Sequence, residues 1–227
     1  MPVGFFDSGL GGISVARAFL RLRPRADVRY VADWQHCPYG EKPDAEILER
    51  ARAIAADLVA QGCRLIVVAC NTASAVALTT LRHEFPGTAF VGMEPAIKPA
   101  AALARERAAT SGGTPTVGVL ATAHTLGGSL FRETARRCAE GVRIIPAEGK
   151  GFVELAENPS VPRETALATI RRALDPLLAE RCDPIVLGCT HYPFLLPLLR
   201  ECAPGVTFLD PAEAVARRAA SLYDEMA

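Results

Sequence analysis

These 227 residues hold no surplus of charge: 25 Lys and Arg balance 25 Asp and Glu, and no basic run stands out. That argues against a nucleic-acid binder, which needs a basic footprint for the phosphate backbone. No apolar run approaches the roughly 18 residues of a membrane span. The opening "MPVGFFDSGLGG" has no basic n-region and soon meets Asp7 and several glycines, so no signal peptide is expected. The expected location is the reducing cytoplasm. No C-x-x-C spacing links Cys37, Cys63, Cys70, Cys138, Cys182, Cys189 and Cys202, and their number is odd. A disulfide framework, a thioredoxin pair and a zinc ribbon all drop away. Also missing are G-x-G-x-x-G and G-K-[ST], hence dinucleotide and phosphate loops. Lys42, Lys98 and Lys150 could form a pyridoxal phosphate Schiff base, yet none sits in a recognisable site.

What is present is a strong alternation. The runs "VGFF", "VRYVA", "LIVVA", "AFVGM", "TVGVLA", "VRIIP", "PIVLG" and "VTFLD" read as strands, with amphipathic helices between most of them. This predicts an α/β protein built on doubly wound parallel sheets. One helix is read with Asp44 as N-cap, Ile47, Ala51, Ile54 and Leu58 on one face, and Gly62 past its end. The polar stretch 105–116 reads as a surface turn, and a second unit is expected to begin near Glu94 or Pro95.

The informative feature is an echo. "LIVVACNTAS" (65–74) and "PIVLGCTHYP" (184–193) share a build: apolar strand, small residue, cysteine, then hydrogen-bonding residues expected to open a helix. Ligands of open α/β sheets bind beyond the strand carboxyl ends, where helix N-termini favour anions and thiolates. A single buried cysteine is usually a packing residue. Two in matched settings point to chemistry at Cys70 and Cys189. A zinc site is a weaker reading, because Cys189 and His191 supply only two ligands and the other Cys and His residues are scattered. Asp7 and Ser8 follow the first strand, where Asp7 is either a helix cap or a carboxylate beside the reacting centre. His191 is either a helix-start residue bonded to backbone or a group tuning proton transfer. Glu154 and Glu157 lie in "GFVELAEN", on a short helix that could turn a carboxylate inward.

Five motifs in order, "GFFDSGLGGISV", "PYGEKP", "ACNTASA", "GFVELAE" and "LGCTHYPFL", closely resemble the bacterial glutamate racemases and cover nearly the whole chain. The related aspartate racemases differ at the N-terminal loop and after the second cysteine. The resemblance implies a cofactor-independent, metal-free isomerase that interconverts L- and D-glutamate and supplies the D-isomer for peptidoglycan and cell shape. It implies Cys70 and Cys189 as the proton-transferring thiols, with Asp7, His191 and Glu157 assisting, Glu154 being the lesser match. Ser8, Tyr39, Gly40, Asn71, Thr72 and Thr190 match substrate-binding positions, as do Asp7 and His191. It further implies a homodimer of two pseudo-symmetric domains, 1–95 plus 206–227 and 96–205, the first closed by the C-terminal strand and helix, with the site in the cleft between them. Two departures stand out: "ADWQHC" (32–37) replaces a more usual Gly-Asp-Thr sequence, and His124 in "ATAHT" stands where Gly is common.

Two thiols fit such a reaction because the Cα proton leaves one face and returns to the other. One thiolate and one thiol exchange states at each turnover, and orientation and electrostatics must supply what a thiolate lacks as a base. Three rivals remain: a racemase of aspartate or another amino acid, a catalytically silent amino-acid-binding or partner-binding protein on the same scaffold, and a thiol-redox protein.

Overall fold

The computed structural model describes residues 1–138 and 140–226. All eight expected strands are present. In chain order the elements are β1 (Val3–Asp7), α1 (Ile13–Leu22), β2 (Val28–Ala32), α2 (Asp44–Ala60), β3 (Leu65–Val68), α3 (Asn71–Glu84), β4 (Ala89–Gly92), α4 (Ile97–Ser111), β5 (Thr116–Ala121), α5 (Ala123–Gly127), α6 (Ser129–Cys138), β6 (Arg143–Glu148), α7 (Phe152–Glu157), α8 (Arg163–Ala179), β7 (Ile185–Gly188), α9 (Leu196–Cys202), β8 (Phe208–Leu209) and α10 (Ala212–Met226). They form two units, Met1–Glu94 with the segment from Pro211, and Pro95–Asp210.

Each unit carries one all-parallel four-stranded sheet, ordered β2-β1-β3-β4 in the first and β6-β5-β7-β8 in the second. The orders are the same pattern repeated, so β3 and β7 are equivalent inner strands. The first sheet is covered on both faces, which is why its inner strands are continuous apolar runs rather than alternating ones. Val3, Phe5, Leu65 and Val67 face a core shared with α1 and α10. Phe6, Ile66 and Val68 face the opposite core, shared with α2 and α3. In the second unit, Val117, Val119, Ala121 and Val186 pack with Ile97, Ala100, Ala101 and Ala104 of α4 and Phe131 of α6. On α8, Ile170, Leu174 and Leu177 are buried.

Two expectations change. The last strand does not belong to the first unit: β8 pairs in parallel with β7, Ile185 opposite Phe208 and Val186 opposite Leu209. A strand–helix–strand connection most often places consecutive strands side by side, and β7-α9-β8 does so, as β3-α3-β4 does in the first sheet. Only α10 returns to the first unit. In α2, Ile47, Ala51, Ile54 and Leu58 are buried and Gly62 follows at φ +85°, but the N-cap is Pro43, and Asp44 is the first helical residue.

Candidate active site

The two strand-end thiols come with separate surroundings, one in each unit. Cys70 is 4% exposed and caps α3 itself: its backbone is extended, and its Sγ accepts the Ala73 N–H at 3.4 Å. A sulfur here stands where Ser or Asp would usually satisfy a free helix N–H, and that donor stabilises negative charge on it. Ser8 Oγ lies 3.8 Å from the sulfur.

Asp7, at the end of β1, is fully buried. Its Oδ1 accepts the Ser8 N–H at 2.7 Å and its Oδ2 the Gly12 N–H at 2.6 Å. The carboxylate therefore organises the loop that leads into α1, as a cap would, and stands next in sequence to Ser8, whose hydroxyl faces the Cys70 thiol. Gly12 is required for this approach. A Cβ there would come within 2.8 Å of Ala69 Cβ and 2.9 Å of both the Ala69 carbonyl oxygen and Asp7 Cβ.

Asn71 follows Cys70 and is 3% exposed, yet neither Oδ1 nor Nδ2 of its amide has a hydrogen-bond partner among the described residues. A buried polar group left unmatched costs about 1–3 kcal/mol, so the position favours a ligand able to both donate and accept. Thr72 is buried beside it. Tyr39 and Gly40 lie in a single 3-10 turn, 39–41, that packs on α3, and Tyr39 is buried in the same cluster as Cys70.

In the second unit, Cys189 is 8% exposed and directly follows β7. His191 is 2% exposed, with Nδ1 3.9 Å from the Cys189 sulfur and Nε2 2.6 Å from Glu157 Oε1. With the proton on Nε2 donated to the Glu157 carboxylate, the neutral ring turns its Nδ1 lone pair toward the thiol. Glu157 ends α7, while Glu154 on the same short helix is exposed, so the geometry selects Glu157 as the partner of His191. Thr190 is buried between the thiol and the imidazole in sequence. Tyr192 donates its hydroxyl to the Gly149 carbonyl at 3.1 Å and meets Phe152 edge-on at 5.0 Å, which anchors the start of α7.

The helix expected after Cys189 is not there. A 3-10 turn spans Tyr192–Leu195, and α9 begins only at Leu196. Pro197 has no N–H to donate to Pro193, so a regular α-helix cannot run through this segment.

Cys63, Cys182 and Cys202 fit the packing role. Burial raises the thiols of Cys63 and Cys202, and pushes that of Cys182 up to about 11, each away from thiolate chemistry.

One cluster escaped the sequence reading. Asp33, 7% exposed, accepts a bidentate pair from Arg50 (2.9 and 2.7 Å) and the Tyr39 hydroxyl at 2.6 Å, with His36 Nδ1 at 3.0 Å. Burial alone would raise this carboxyl, but the bonds from Arg50, Tyr39 and His36 outweigh it and hold the group at about 2. Asp33 N–H also donates to the Asp7 carbonyl at 2.9 Å. Its position just past β2, beside the end of β1, was the available signal.

The family described as Asp/Glu/Hydantoin racemase matches residues 15–219. The chain is 47% identical over 225 residues to a glutamate racemase of Roseiflexus sp. (strain RS-1), spanning 99% of this chain and 80% of that protein. It is 46% identical over 218 residues to one of Ectopseudomonas mendocina (strain ymp), spanning 96% and 80%. A crystal structure of Escherichia coli glutamate racemase with L-glutamate and the activator UDP-MurNAc-Ala superposes at a TM-score of 0.85 with 39% identity, over 98% of this chain and 82% of that one. On a likeness that runs through both units, the chain belongs to the Asp/Glu/Hydantoin racemase family.

Proposed function

We propose that this chain is a glutamate racemase that inverts Cα with two thiols, Cys70 and Cys189, one serving each face of the substrate. The observation that carries the reading is the pair of buried thiols at equivalent strand ends, each already beside its own hydrogen-bonding group. Glutamate as substrate follows from the relatives, all three of which bear that name.

In this reading one cysteine enters turnover as thiolate and takes the Cα proton. The opposite thiol then delivers its proton to the other face of the carbanion, and the pair is left in reversed states. Ala73 N–H and Ser8 support the sulfur of Cys70, while His191, oriented by Glu157, exchanges a proton with Cys189. Asn71, with its unmatched buried amide, binds the amino acid, with Thr72, Thr190, Ser8 and the Tyr39–Gly40 turn completing the contacts. No metal or organic cofactor takes part. We place the enzyme in the cytoplasm as a homodimer supplying D-glutamate to cell-wall synthesis; for location, the supporting fact is that no helix among the described residues is long and apolar enough to cross a membrane.

The test is circular dichroism of pure L-glutamate with chelator-dialysed protein and no added cofactor. The signal is expected to decay to zero, whereas L-aspartate should hold its signal far longer. In deuterated water at low conversion, the D-product should carry deuterium at Cα and the remaining L-substrate very little. A D-product that keeps its original hydrogen would rule out two bases. Activity returning only with zinc or pyridoxal phosphate would rule out a cofactor-free enzyme.

A further inference from the structure

Asp33 is a buried carboxylate with three side-chain partners, and the proposed mechanism gives it no task. A purely structural explanation accounts for Arg50, whose bidentate bond ties α2 to the end of β2. It does not account for Tyr39. That side chain is fully buried in the cluster that contains Cys70, and its 3-10 turn packs on α3, the helix that Cys70 caps. A phenol so placed has two possible acceptors for its one proton. If it donated to the thiolate, it would stabilise the anion and weaken it as a base. In the structure it donates instead to Asp33, at 2.6 Å, a length typical of a charge-assisted O–H···O bond.

We infer that Asp33 is a positioning residue: it holds the Tyr39 hydroxyl proton away from Cys70, so that the thiolate stays basic. The inference rests on the reading of Cys70 as a base. Arg50 and His36 have a defined part in it. Their bonds keep Asp33 an ionised acceptor, and Arg50 fills both of its oxygens in a fixed plane, so the carboxylate cannot turn from Tyr39 without losing the pair. The Asp33 N–H to Asp7 carbonyl bond ties the same residue to the loop that carries Asp7 and Ser8.

The test combines a mutant cycle with a signal that does not depend on turnover. Asp33→Asn replaces the anion by a neutral amide, a weaker acceptor that lets the phenol turn to the thiolate, and we expect kcat to fall by about tenfold or more, a coupling typical of residues in one network. Tyr39→Phe removes the competing proton altogether. If Asp33 acts through that proton, Asp33→Asn/Tyr39→Phe is no slower than Tyr39→Phe alone. If Asp33 is only a structural anchor, the two losses multiply, and the inference is overturned. Proton NMR supplies the independent reading: a buried hydroxyl bonded to a carboxylate should give a slowly exchanging downfield resonance in the wild-type protein, missing in Tyr39→Phe. Should Asp33→Asn not fold, Asp33→Glu, which moves the carboxylate off Tyr39, takes its place in the cycle, and absence of the resonance in wild type overturns the inference. The resonance also separates the two failures. Wild-type protein that shows the resonance but leaves L-glutamate optically unchanged defeats the racemase reading; one that racemises without the resonance defeats only the role of Asp33.

Discussion

Cys70 and Cys189 occupy the same place in two copies of one sheet, and their neighbours differ. Val68 pairs with Phe6 and Leu187 with Leu120, each two residues before its thiol. That puts Asp7 of the first sheet and Ala121 of the second at equivalent points, one a carboxylate and the other a methyl. The Asp33 N–H bonds to the Asp7 carbonyl at 2.9 Å just as the Gly149 N–H bonds to that of Ala121 at 3.0 Å. The backbone has been repeated and the chemistry has not. In the first unit the sulfur leans on a fixed dipole, the start of the 14-residue α3, and on a hydroxyl. In the second, prolines prevent such a helix and a His–Glu pair takes its place. A dipole can favour a thiolate without moving a proton, whereas an imidazole can also relay one. Proton inventory is therefore expected to be managed on the Cys189 side.

The comparison breaks most completely if either thiol is dispensable. Cys70→Ala and Cys189→Ala are each expected to lower racemisation by about 10³-fold or more, since residues acting as one unit fail together. Far-UV circular dichroism should remain that of the wild type. Near-normal turnover with reduced stability in either variant would return that cysteine to a packing role.

A finer prediction concerns sides. L- and D-glutamate have equal free energies in water, so kcat/KM must be the same in both directions for any variant. Damage to one half cannot appear there as a directional bias. It appears in the isotope effect. His191→Asn and Glu157→Gln should lower kcat/KM by about 10²-fold, in the range for general acid–base assistance. The step at Cys189 then limits the rate. Cα-deuterium in the substrate should slow the direction in which Cys189 removes the proton more than in wild type, and the opposite direction less. Asp7→Asn should shift the two isotope effects in the reverse sense. Initial rates with Cα-deuterated L- and D-glutamate give all of these values. Shifts in the same sense for His191→Asn and Asp7→Asn would show that the halves are not assigned to separate faces.

Much of this asymmetry could be read before folding, and the part that could not has a physical reason. Strand ends are local: apolar runs bounded by small residues locate Cys70 and Cys189, and the repeat pairs them. Pro193 and Pro197 were visible too, yet the likeness to "ACNTAS" suggested a helix that their missing N–H groups do not allow. The placement of β8 depended on a crossover rule and not on its own residues. Glu157 could be favoured over Glu154 only by resemblance, because which carboxylate of a six-residue helix reaches His191 is a matter of packing. Asp33 was the hardest. Its partners lie 3, 6 and 17 residues away, on two 3-10 turns and a helix, and no periodicity joins them.

That same cluster yields the smallest effect and a last contrast between the units. Folding lowers the Asp33 carboxyl to about 2, against an unfolded value of about 3.9. A carboxylate depressed in the folded state contributes stability that is complete above the unfolded value and is lost as pH falls through the folded one. The contribution should be no more than about 2 kcal/mol, a few degrees in Tm. Asp33→Asn lacks it, so the gap in Tm between wild type and variant should be constant above about pH 5 and close between pH 4 and 2. Trp34, the single tryptophan, is 63% exposed in the turn next to Asp33 and reports on the first unit alone. Its fluorescence should follow the closing gap. A gap that stays constant down to pH 2 would mean that Asp33 is not the anion that Arg50 and Tyr39 are holding, and the asymmetry between the halves would then rest on Asp7, the start of α3 and the His191–Glu157 pair without it.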